Sequence, residues 1–188
     1  MNLGRVKNIK RNVLFNRQGF TLIELMVVMA IIGVIMILAV PNFTQMQARG
    51  RISAGAKGMA QDLMQIRERA LVRGLGHEVI FDMVSHRTYT ASYTDSIAHS
   101  FVYKLSGVAG GNLIFGAATG VSGYPPEGTG DPPADGVDFL NDKLVFDSRG
   151  GATSGVVYVT DGKQTYAIGV NTLGKIRVYN YAGSGTWK

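Results

Sequence analysis

One carboxylate lies within the most apolar stretch of the chain. Residues 20–40 read FTLIELMVVMAIIGVIMILAV, where Thr21 and Glu24 are the clearly polar side chains. A charged side chain at the centre of a membrane-spanning helix costs about 2.5–3.5 kcal/mol or more, so acids in such segments usually have a function and a partner. Glu24 is therefore the first candidate functional residue, and we expect a cation to pair with it.

A second candidate group lies close to the C-terminus. Lys175 and Arg177 alternate onto one face of the last predicted strand, and Lys188 ends the chain. Such cations can contact a nucleic acid backbone, with an affinity that falls as salt rises. Bases also stack on aromatic rings, and this region contains three: Tyr179, Tyr181 and Trp187. Two interpretations stay open, a DNA-binding patch and ordinary solvent-exposed strand residues.

The other residue types that carry chemistry show no spacing that defines a site. Three aspartates in a Gly- and Pro-rich stretch offer oxygen ligands for calcium, but they follow no defined calcium motif. They are Asp131, Asp135 and Asp138. The histidines, His77, His86 and His99, have neither metal-ligand nor triad spacing. Cysteine is absent, which excludes disulfides and thiolate ligation. Without a nucleophile elbow or a phosphate loop, the sequence predicts a non-enzymatic protein with no cofactor and no metal.

The elements that must position these residues begin with a basic N-terminal segment. The chain has 188 residues, about one domain, and a formal net charge of +6. Five basic residues and no acid precede Gly19, which leaves 14 basic against 13 acidic residues in the rest. Cationic residues beside a membrane span stay on the cytoplasmic side. The charge therefore predicts membrane topology, not an anionic ligand.

Residues 20–40 are long enough to cross a membrane as a helix. At about 1.5 Å per residue, a helix of this length spans the roughly 30 Å hydrocarbon layer. A cleavable secretory signal has a shorter apolar core of about 7–15 residues and a small-x-small cleavage site. Neither is present, so we expect residues 20–40 to be retained as a transmembrane helix.

Residues 17–25, RQGFTLIEL, resemble the leader and cleavage site of the type IV pilin superfamily. The resemblance implies that residues 1–19 form a leader, which a prepilin peptidase removes by cutting after Gly19. It also implies N-methylation of the new terminal residue, Phe20, and a role in filament assembly for Glu24. Cleavage creates an α-ammonium at Phe20, and Glu24 of a neighbouring subunit can neutralise this charge in a low-dielectric filament core. A side chain at position 19 would crowd an active site that grips extended backbone.

Beyond the anchor, the apolar pattern continues with helical spacing. Pro41 lacks an amide donor and is expected to bend or loosen the helix. An apolar stripe then recurs every three or four residues: Ile52, Ala56, Met59, Leu63, Ile66 and Ala70. The opposite face is polar and is expected to face away from the sheet: Arg51, Lys57, Asp62, Arg67, Glu68 and Arg73. Gly74 and Gly76 should end the helix. The prediction is one long helix from residue 20 to about 72, with residues 41–74 as its amphipathic continuation.

From residue 75 to 188 the pattern changes to strand alternation. The predicted strands are 77–84, 87–94, 100–105, 144–147, 156–160, 165–170 and 175–181. Asp161-Gly162 predicts a two-residue hairpin turn with both residues at positive φ. Residues 116–136 hold four of the five prolines and should form a long surface loop. The predicted fold class is α+β, a long N-terminal helix packed on an antiparallel β-sheet or small β-sandwich.

Further segments resemble the GspH/FimT group of pilin-like proteins. They are residues 61–74 at the end of the helix, and residues 144–150 and 173–178 in the late strands. Lys175 stands where that group usually has arginine. The resemblance implies a minor pseudopilin at or near the tip of a type II secretion pseudopilus. The alternative is a minor type IV pilin that primes pilus assembly and, in one version, binds DNA for uptake.

The same resemblance implies partners and location. The partners are the prepilin peptidase, other pseudopilins or pilins in a heteromeric filament, the inner membrane and the assembly platform. The leader would be cytoplasmic and the β-domain periplasmic, on either side of a single inner-membrane span. The shared motif specifies processing and assembly, so it does not distinguish secretion, pilus and competence filaments.

Overall fold

A computed structural model of the chain describes residues 19–105 and 112–188. It contains two compact units, Met1–Phe43 and Thr44–Lys188. One long helix precedes the strands of two antiparallel sheets, and its C-terminal part packs against them. The predicted α+β fold class is thus confirmed. Residues 1–18 of the predicted leader lie outside the described residues.

Helix α1 spans Leu22–Arg73 and has a defined cap at each end. At its start, the hydroxyl of Thr21 accepts the N–H of Glu24 at 3.3 Å. At its end, Gly74 has a φ of 66°, and the N–H of Leu75 donates to the carbonyl of Ala70 at 3.3 Å. This is a Schellman motif, which requires a left-handed residue directly after the helix. The predicted helix and its stop at Gly74 are confirmed, whereas the bend at Pro41 stays a prediction.

The described strands belong to two sheets and are numbered in chain order. They are β1 His77–Phe81, β2 Thr88–Thr94, β3 Ala98–Lys104, β4 Ile114–Phe115, β5 Val137–Asp138, β6 Lys143–Phe146, β7 Gly155–Thr160, β8 Thr165–Val170, β9 Ile176–Gly183 and β10 Thr186–Trp187. The first sheet has the order β3-β2-β1-β6, and the second β10-β9-β8-β7-β4, with β5 also paired to β7. Every predicted strand is present, with bounds that differ by up to three residues. The sequence missed β4, β5 and β10, because two residues are too short to show alternation.

The apolar stripe of α1 forms one wall of the main core. All six predicted residues are at most 2% exposed: Ile52, Ala56, Met59, Leu63, Ile66 and Ala70. They pack with inward-facing side chains of both sheets, such as Phe146 from the first and Ile168 from the second. Burying a side chain of the size of leucine contributes about 1.5–3 kcal/mol. The stripe therefore attaches the helix to the sheets, as predicted.

The polar face of α1 was predicted to face away from the sheets, and this prediction is wrong for three residues. One of them is Arg73, whose guanidinium lies 4.4 Å from the centroid of the Tyr93 ring in β2; the others are Asp62 and Arg67. The Asp62 carboxylate accepts a hydrogen bond from the hydroxyl of Tyr89 at 2.5 Å. Arg67 donates to the carbonyls of Gly150 at 2.8 Å and Leu173 at 3.3 Å. Both side chains lie at the edge of the stripe, where a long polar residue reaches the connections between strands. They fasten the helix to the sheets by hydrogen bonds.

The β7–β8 hairpin is present, but its turn differs from the prediction. Thr160 pairs with Thr165, so the loop contains four residues, not two. Gly162 has a φ of 88°, whereas Asp161 is not at positive φ. The Asp161 carboxylate accepts the N–H groups of Lys163 at 2.9 Å and Gln164 at 2.8 Å. This side-chain cap replaces the backbone geometry of a two-residue turn.

The loop at 116–136 is irregular, as predicted, and it packs on the C-terminal strands. The indole N–H of Trp187 donates to the carbonyl of Gly123 at 3.0 Å. The hydroxyl of Tyr181 donates to Gly120 at 3.2 Å and accepts the N–H of Ser122 at 3.4 Å. A second, smaller apolar cluster lies beneath: Val156, Tyr158, Ala167 and Trp187, with Val121 and Tyr124 against it. The loop thus covers part of the outer face of the second sheet.

The turn between β1 and β2 is built around one carboxylate. Asp82 accepts the hydroxyl of Ser85 at 2.6 Å and that of Thr88 at 3.0 Å. It also accepts the N–H groups of Val84 at 2.9 Å and Ser85 at 3.2 Å. The Ser85 hydroxyl, and after it these backbone donors, hold the pKa of Asp82 well below its usual range. The charged form of Asp82 therefore stabilises the folded state.

Asp82→Asn is expected to destabilise the domain in a pH-dependent way. The folded-state pKa is below the unfolded value of about 3.9, so the contribution of the charge is full above that value and disappears as the pH falls through the folded pKa. The deficit of the variant should be constant above about pH 5 and shrink below about pH 4. Urea unfolding of both proteins between pH 2.5 and 7 measures it. A deficit that stays the same at every pH would contradict the role of the charge.

The predicted transmembrane span, residues 20–40, lies at the start of α1. The structure does not describe the side chains of residues 38–42 of α1, which include the end of the predicted span. Within what is described, no helix has the length and apolar character needed to cross a membrane.

Candidate functional site

The structure places Glu24 in the first turn of α1, directly after a capping threonine. Thr21-Leu22-Ile23-Glu24 has the spacing of a capping box, in which a threonine precedes a glutamate by three residues. The hydroxyl of Thr21 satisfies the N–H of Glu24, and an acid in the first turn interacts favourably with the helix dipole. Sequence reasoning treated Glu24 as an isolated acid and missed the cap, although the T-x-x-E spacing signals it. Glu24 therefore occupies a defined, exposed position at the helix start.

The segment around Glu24 exposes apolar side chains on every side of the helix. Fourteen large apolar side chains between Phe20 and Ile37 are 40–85% exposed. They include runs of consecutive residues, and such runs cover the full circumference of a helix. A helix that is apolar all round requires an apolar environment, from lipid or from other helices. Glu24 is thus a carboxylate at the end of a helix that must be covered by something other than water.

Gly19 has no structural role in the described part of the chain. A Cβ atom built at Gly19 would have no atom within 4 Å. A larger side chain at this position therefore meets no clash within the described residues.

Lys175 and Arg177 lie at one end of a groove on the outer face of the second sheet. The pairings Asp138↔Val156, Val156↔Gly169 and Gly169↔Arg177 form one row across β5, β7, β8 and β9. Lys175 precedes β9 beside this row, and both cations are exposed. The groove has a volume of about 660 Å³, within the range of ligand sites. The structure therefore brings together the two predicted cations and Asp138, which sequence reasoning had placed in a loop.

The rings predicted as stacking surfaces are mostly engaged within the protein. Trp187 is 6% exposed and packs against Tyr158 and Tyr181 at 5.7 and 5.1 Å between ring centroids. The hydroxyl of Tyr181 makes hydrogen bonds with the loop and with the N–H of Gly185 at 3.2 Å. The predicted stacking role is wrong for Trp187, because the β9–β10 hairpin and the loop bury it. Tyr181 is only half-buried, and a stacking role for it stays a prediction. Tyr179 alone of the three lines the groove.

Asp138 is part of a tyrosine cluster at the other end of the groove. Its carboxylate accepts the hydroxyl of Tyr124. Burial, and then the hydrogen bond to Asp138, raise the pKa of Tyr124. Burial, and then the charge of Asp138, also raise the pKa of Tyr158, whose hydroxyl is buried without a hydrogen-bond partner among the described residues. Both tyrosines therefore remain neutral hydrogen-bond donors beside a negative charge.

The other candidate residues have structural surroundings. Asp135 accepts the N–H of Val137 at 3.1 Å, and residues 19–105 and 112–188 contain no group of three or more metal-ligating side chains. His77 is buried, with Nδ1 at 3.0 Å from the carbonyl of Leu75 and its ring stacked on Tyr93 at 4.5 Å. His99 stacks on the same tyrosine at 4.6 Å. These residues support strands and turns.

Comparison with known proteins identifies the N-terminal segment. Residues 14–40 match the family model described as the prokaryotic N-terminal methylation motif. The type IV major pilin protein PilA of Myxococcus xanthus is 58% identical over 36 residues, which cover 19% of this chain and 16% of that protein. The match thus spans about a sixth of the length of that relative.

Two solved structures of one bacterial protein align with about two thirds of this chain at low similarity. A structure of the minor pseudopilin EpsH from the type 2 secretion system of Vibrio cholerae has a TM-score of 0.45 and 15% identity, covering 68% of this chain and 95% of that chain. A crystal structure of the same minor pseudopilin has a TM-score of 0.42 and 15% identity, covering 70% and 97%.

The N-terminal segment of the chain is similar to that of a type IV pilin. The resemblance predicted from residues 17–25 is confirmed by the match to residues 14–40 and by the identity to the pilin. The roles of Gly19, Phe20 and Glu24 in processing and assembly stay predictions.

Proposed function

We propose that the chain is a minor pseudopilin, a structural subunit of a type II secretion pseudopilus that acts at or near the filament tip. The observation that carries the proposal is the N-terminal segment. There Gly19, which meets no clash within the described residues, precedes a helix that is capped by Thr21 and apolar on every side, with Glu24 in its first turn. Such a helix buries its surface in the inner membrane before assembly and against other subunits afterwards. Its role is mechanical, and the chain catalyses no reaction in this proposal.

Processing and assembly are coupled through the helix start. The prepilin peptidase cuts after Gly19 and leaves the α-ammonium of Phe20, which is then N-methylated. This cation lies next to the positive end of the helix dipole, where a positive charge is unfavourable. Glu24 of a neighbouring pseudopilin neutralises it in the filament. The β-domain then lies in the periplasm, with the leader on the cytoplasmic side and the assembly platform in the inner membrane.

An alternative function is a minor type IV pilin that primes pilus assembly. The same N-terminal segment supports it equally, since the segment specifies processing and packing. In its DNA-uptake version, the supporting observation is that Lys175 and Arg177 are exposed, and the ion pairs of residues 19–105 and 112–188 involve neither residue. A competition between a peptide and single-stranded DNA for the groove that contains Lys175 and Arg177 tests this DNA-uptake version.

Replacement of Gly19 is expected to block processing without affecting the fold. The full chain is produced with and without a prepilin peptidase, and intact mass determines its N-terminus. The wild-type chain should lose residues 1–19 and gain one methyl group on Phe20. Gly19→Leu should remain uncut, because the side chain prevents the extended backbone from entering the peptidase.

Gly33→Leu is the matched control for this experiment. A Cβ at Gly33 also has no atom within 4 Å, so the same substitution there changes apolar surface and leaves the cleavage site intact. It should be cut and methylated like the wild type. A wild-type chain that stays uncut, or a Gly19→Leu chain that is cut normally, would contradict the proposed function.

A further inference from the structure

The groove that contains Lys175 and Arg177 is the uncovered part of an otherwise covered sheet face. Tyr158, Ala167 and Tyr179 form the next row of the outer face, and Tyr158 and Ala167 are fully buried under the loop and Trp187. The loop stops at the row of Val156 and Gly169, and Tyr124 and Pro125 form the wall of the groove there. The chain thus closes one half of this face and leaves the other half open.

The two ends of the open row carry opposite charges. Asp138 lies at one end and Arg177 at the other, on strands separated by β7 and β8. Neighbouring strands are about 4.8 Å apart, so the charged ends are separated by about 14 Å. An extended peptide advances about 3.4 Å per residue. A segment of about four residues therefore reaches from one charged end to the other.

The floor of the groove is apolar around Gly169. Gly169 lies between Val156 and Arg177 in the row, and a Cβ there would come to 3.2 Å from Cε2 of Tyr179 and 3.9 Å from Cγ2 of Val156. Because Gly169 has no side chain, the Tyr179 ring lies close against its backbone, and the ring and Val156 line a narrow apolar slot. The φ of Gly169 lies outside the left-handed region, so the backbone does not require glycine. A side chain at position 169 therefore strains the backbone little, but it pushes the Tyr179 ring aside and disrupts the slot.

The charge arrangement favours a peptide over a nucleic acid. A DNA strand carries a phosphate at every nucleotide, so a strand that contacts Arg177 and follows the groove places another phosphate near Asp138. Trp187 is packed inside the protein, and Tyr181 does not line the groove, so neither ring offers bases a stacking surface there. A peptide can present an acid to Lys175 and Arg177, an apolar side chain to the slot, and a hydrogen-bond donor or cation to Asp138.

We propose that this groove binds an extended segment of about four residues from a partner protein, with an acidic side chain on Lys175 and Arg177 and an apolar side chain in the slot over Gly169. Recognition is by charge at the two ends and by shape in the middle. The proposal does not depend on processing after Gly19, so an uncut Gly19→Leu chain should bind the same peptide as the wild type.

Selection from a random heptapeptide library displayed on phage tests this proposal. The target is the full chain in nanodiscs. Enriched sequences should contain Asp or Glu within about four positions of an apolar residue. A labelled synthetic peptide of the enriched sequence should bind at least about tenfold more weakly to the Lys175→Gln, Arg177→Gln double variant, since hydrogen bonds to charged groups contribute about 1.5–3 kcal/mol. Asp138→Asn should remove any enrichment of Lys or Arg at the other end of the peptide.

Two further variants separate the groove from general charge effects. Gly169→Val pushes the Tyr179 ring aside, disrupts the slot and should weaken binding by a similar factor, while the fluorescence of Trp187 confirms that the second sheet is folded. Lys163→Gln removes an exposed cation from the β7–β8 turn and should leave binding unchanged. Three outcomes would overturn the proposal. They are no enrichment of any peptide, enrichment of peptides without acids, and binding that survives both Gly169→Val and the double substitution. A single-stranded 12-nucleotide DNA that binds more tightly than the peptide and displaces it would overturn it in favour of DNA.

Discussion

Glu24→Ala is expected to abolish incorporation of the chain into filaments while cleavage after Gly19 continues. The acid lies in the capped first turn of α1, where a neighbouring subunit can present the ammonium of its own Phe20. Two unit charges 4 Å apart interact by about 4 kcal/mol at an effective dielectric constant of 20. Loss of that interaction corresponds to a decrease of roughly a thousandfold in the association constant. Immunoblots of sheared filament fractions from cells with the complete assembly machinery measure incorporation, and intact mass measures cleavage.

Three further variants separate the charge of Glu24 from its other properties. Glu24→Gln keeps the size and hydrogen bonding of the side chain and should fail to assemble as Glu24→Ala does. Thr21→Ala removes the helix cap at a cost of about 1 kcal/mol and keeps the charge, so it should reduce incorporation only several-fold. Glu68→Ala removes an exposed acid elsewhere on α1 and should assemble normally. Normal assembly of Glu24→Gln would show that the charge is not the assembly signal.

The long helix and its attachment to the sheets were predictable because the signals are local. An apolar stripe every three or four residues specifies a helix face, and Gly74 after a basic last turn specifies its end. The pairings that build the groove involve no local signal. Alternation placed Lys175 and Arg177 on one face of a strand, but Asp138 joins them only because the short strand β5 pairs with β7.

The errors in the prediction share a physical cause. Trp187 and Tyr181 were predicted to be exposed rings near a terminus. However, the two-residue strand β10 turns back on β9 and buries Trp187 beneath a loop that lies more than 50 residues earlier in the chain. Asp62 and Arg67 were predicted to face solvent, but each has a hydrogen-bond partner on a distant strand or turn. A sequence pattern reports the polarity of a side chain, while its partner is decided by tertiary packing.

Gly174→Ala is expected to destabilise the domain by about 2–5 kcal/mol. A left-handed backbone costs a residue that has a side chain about 1–2 kcal/mol, and overpacking costs about 1–3 kcal/mol. Gly174 has a φ of 70°, and a Cβ there would lie 2.1 Å from the carbonyl oxygen of Gly150 and 2.5 Å from Nε of Arg67. Those two atoms form the hydrogen bond that ties α1 to the turn after β6. Urea unfolding of residues 44–188, followed by the fluorescence of Trp187, measures the free energy of unfolding.

Gly162→Ala is the control for backbone strain alone. Gly162 has a φ of 88°, and a Cβ there has no atom within 4 Å, so the expected loss is about 1–2 kcal/mol. The difference between the two variants then measures the clash at Gly174. An equal loss for both would show that the carbonyl and guanidinium move aside freely.

Arg67→Ala determines how much of the Gly174 effect comes from the broken hydrogen bond. Alone, it should cost about 1.5–3 kcal/mol, the usual contribution of hydrogen bonds to a charged donor. In the double variant with Gly174→Ala, the two losses should add to less than their sum, because the same bond cannot be lost twice. A smaller side chain at position 67 also leaves room for the new methyl group. Strict additivity would mean that Gly174 and Arg67 stabilise the end of α1 independently, and that the close approach of the β8–β9 turn, not the guanidinium, requires glycine.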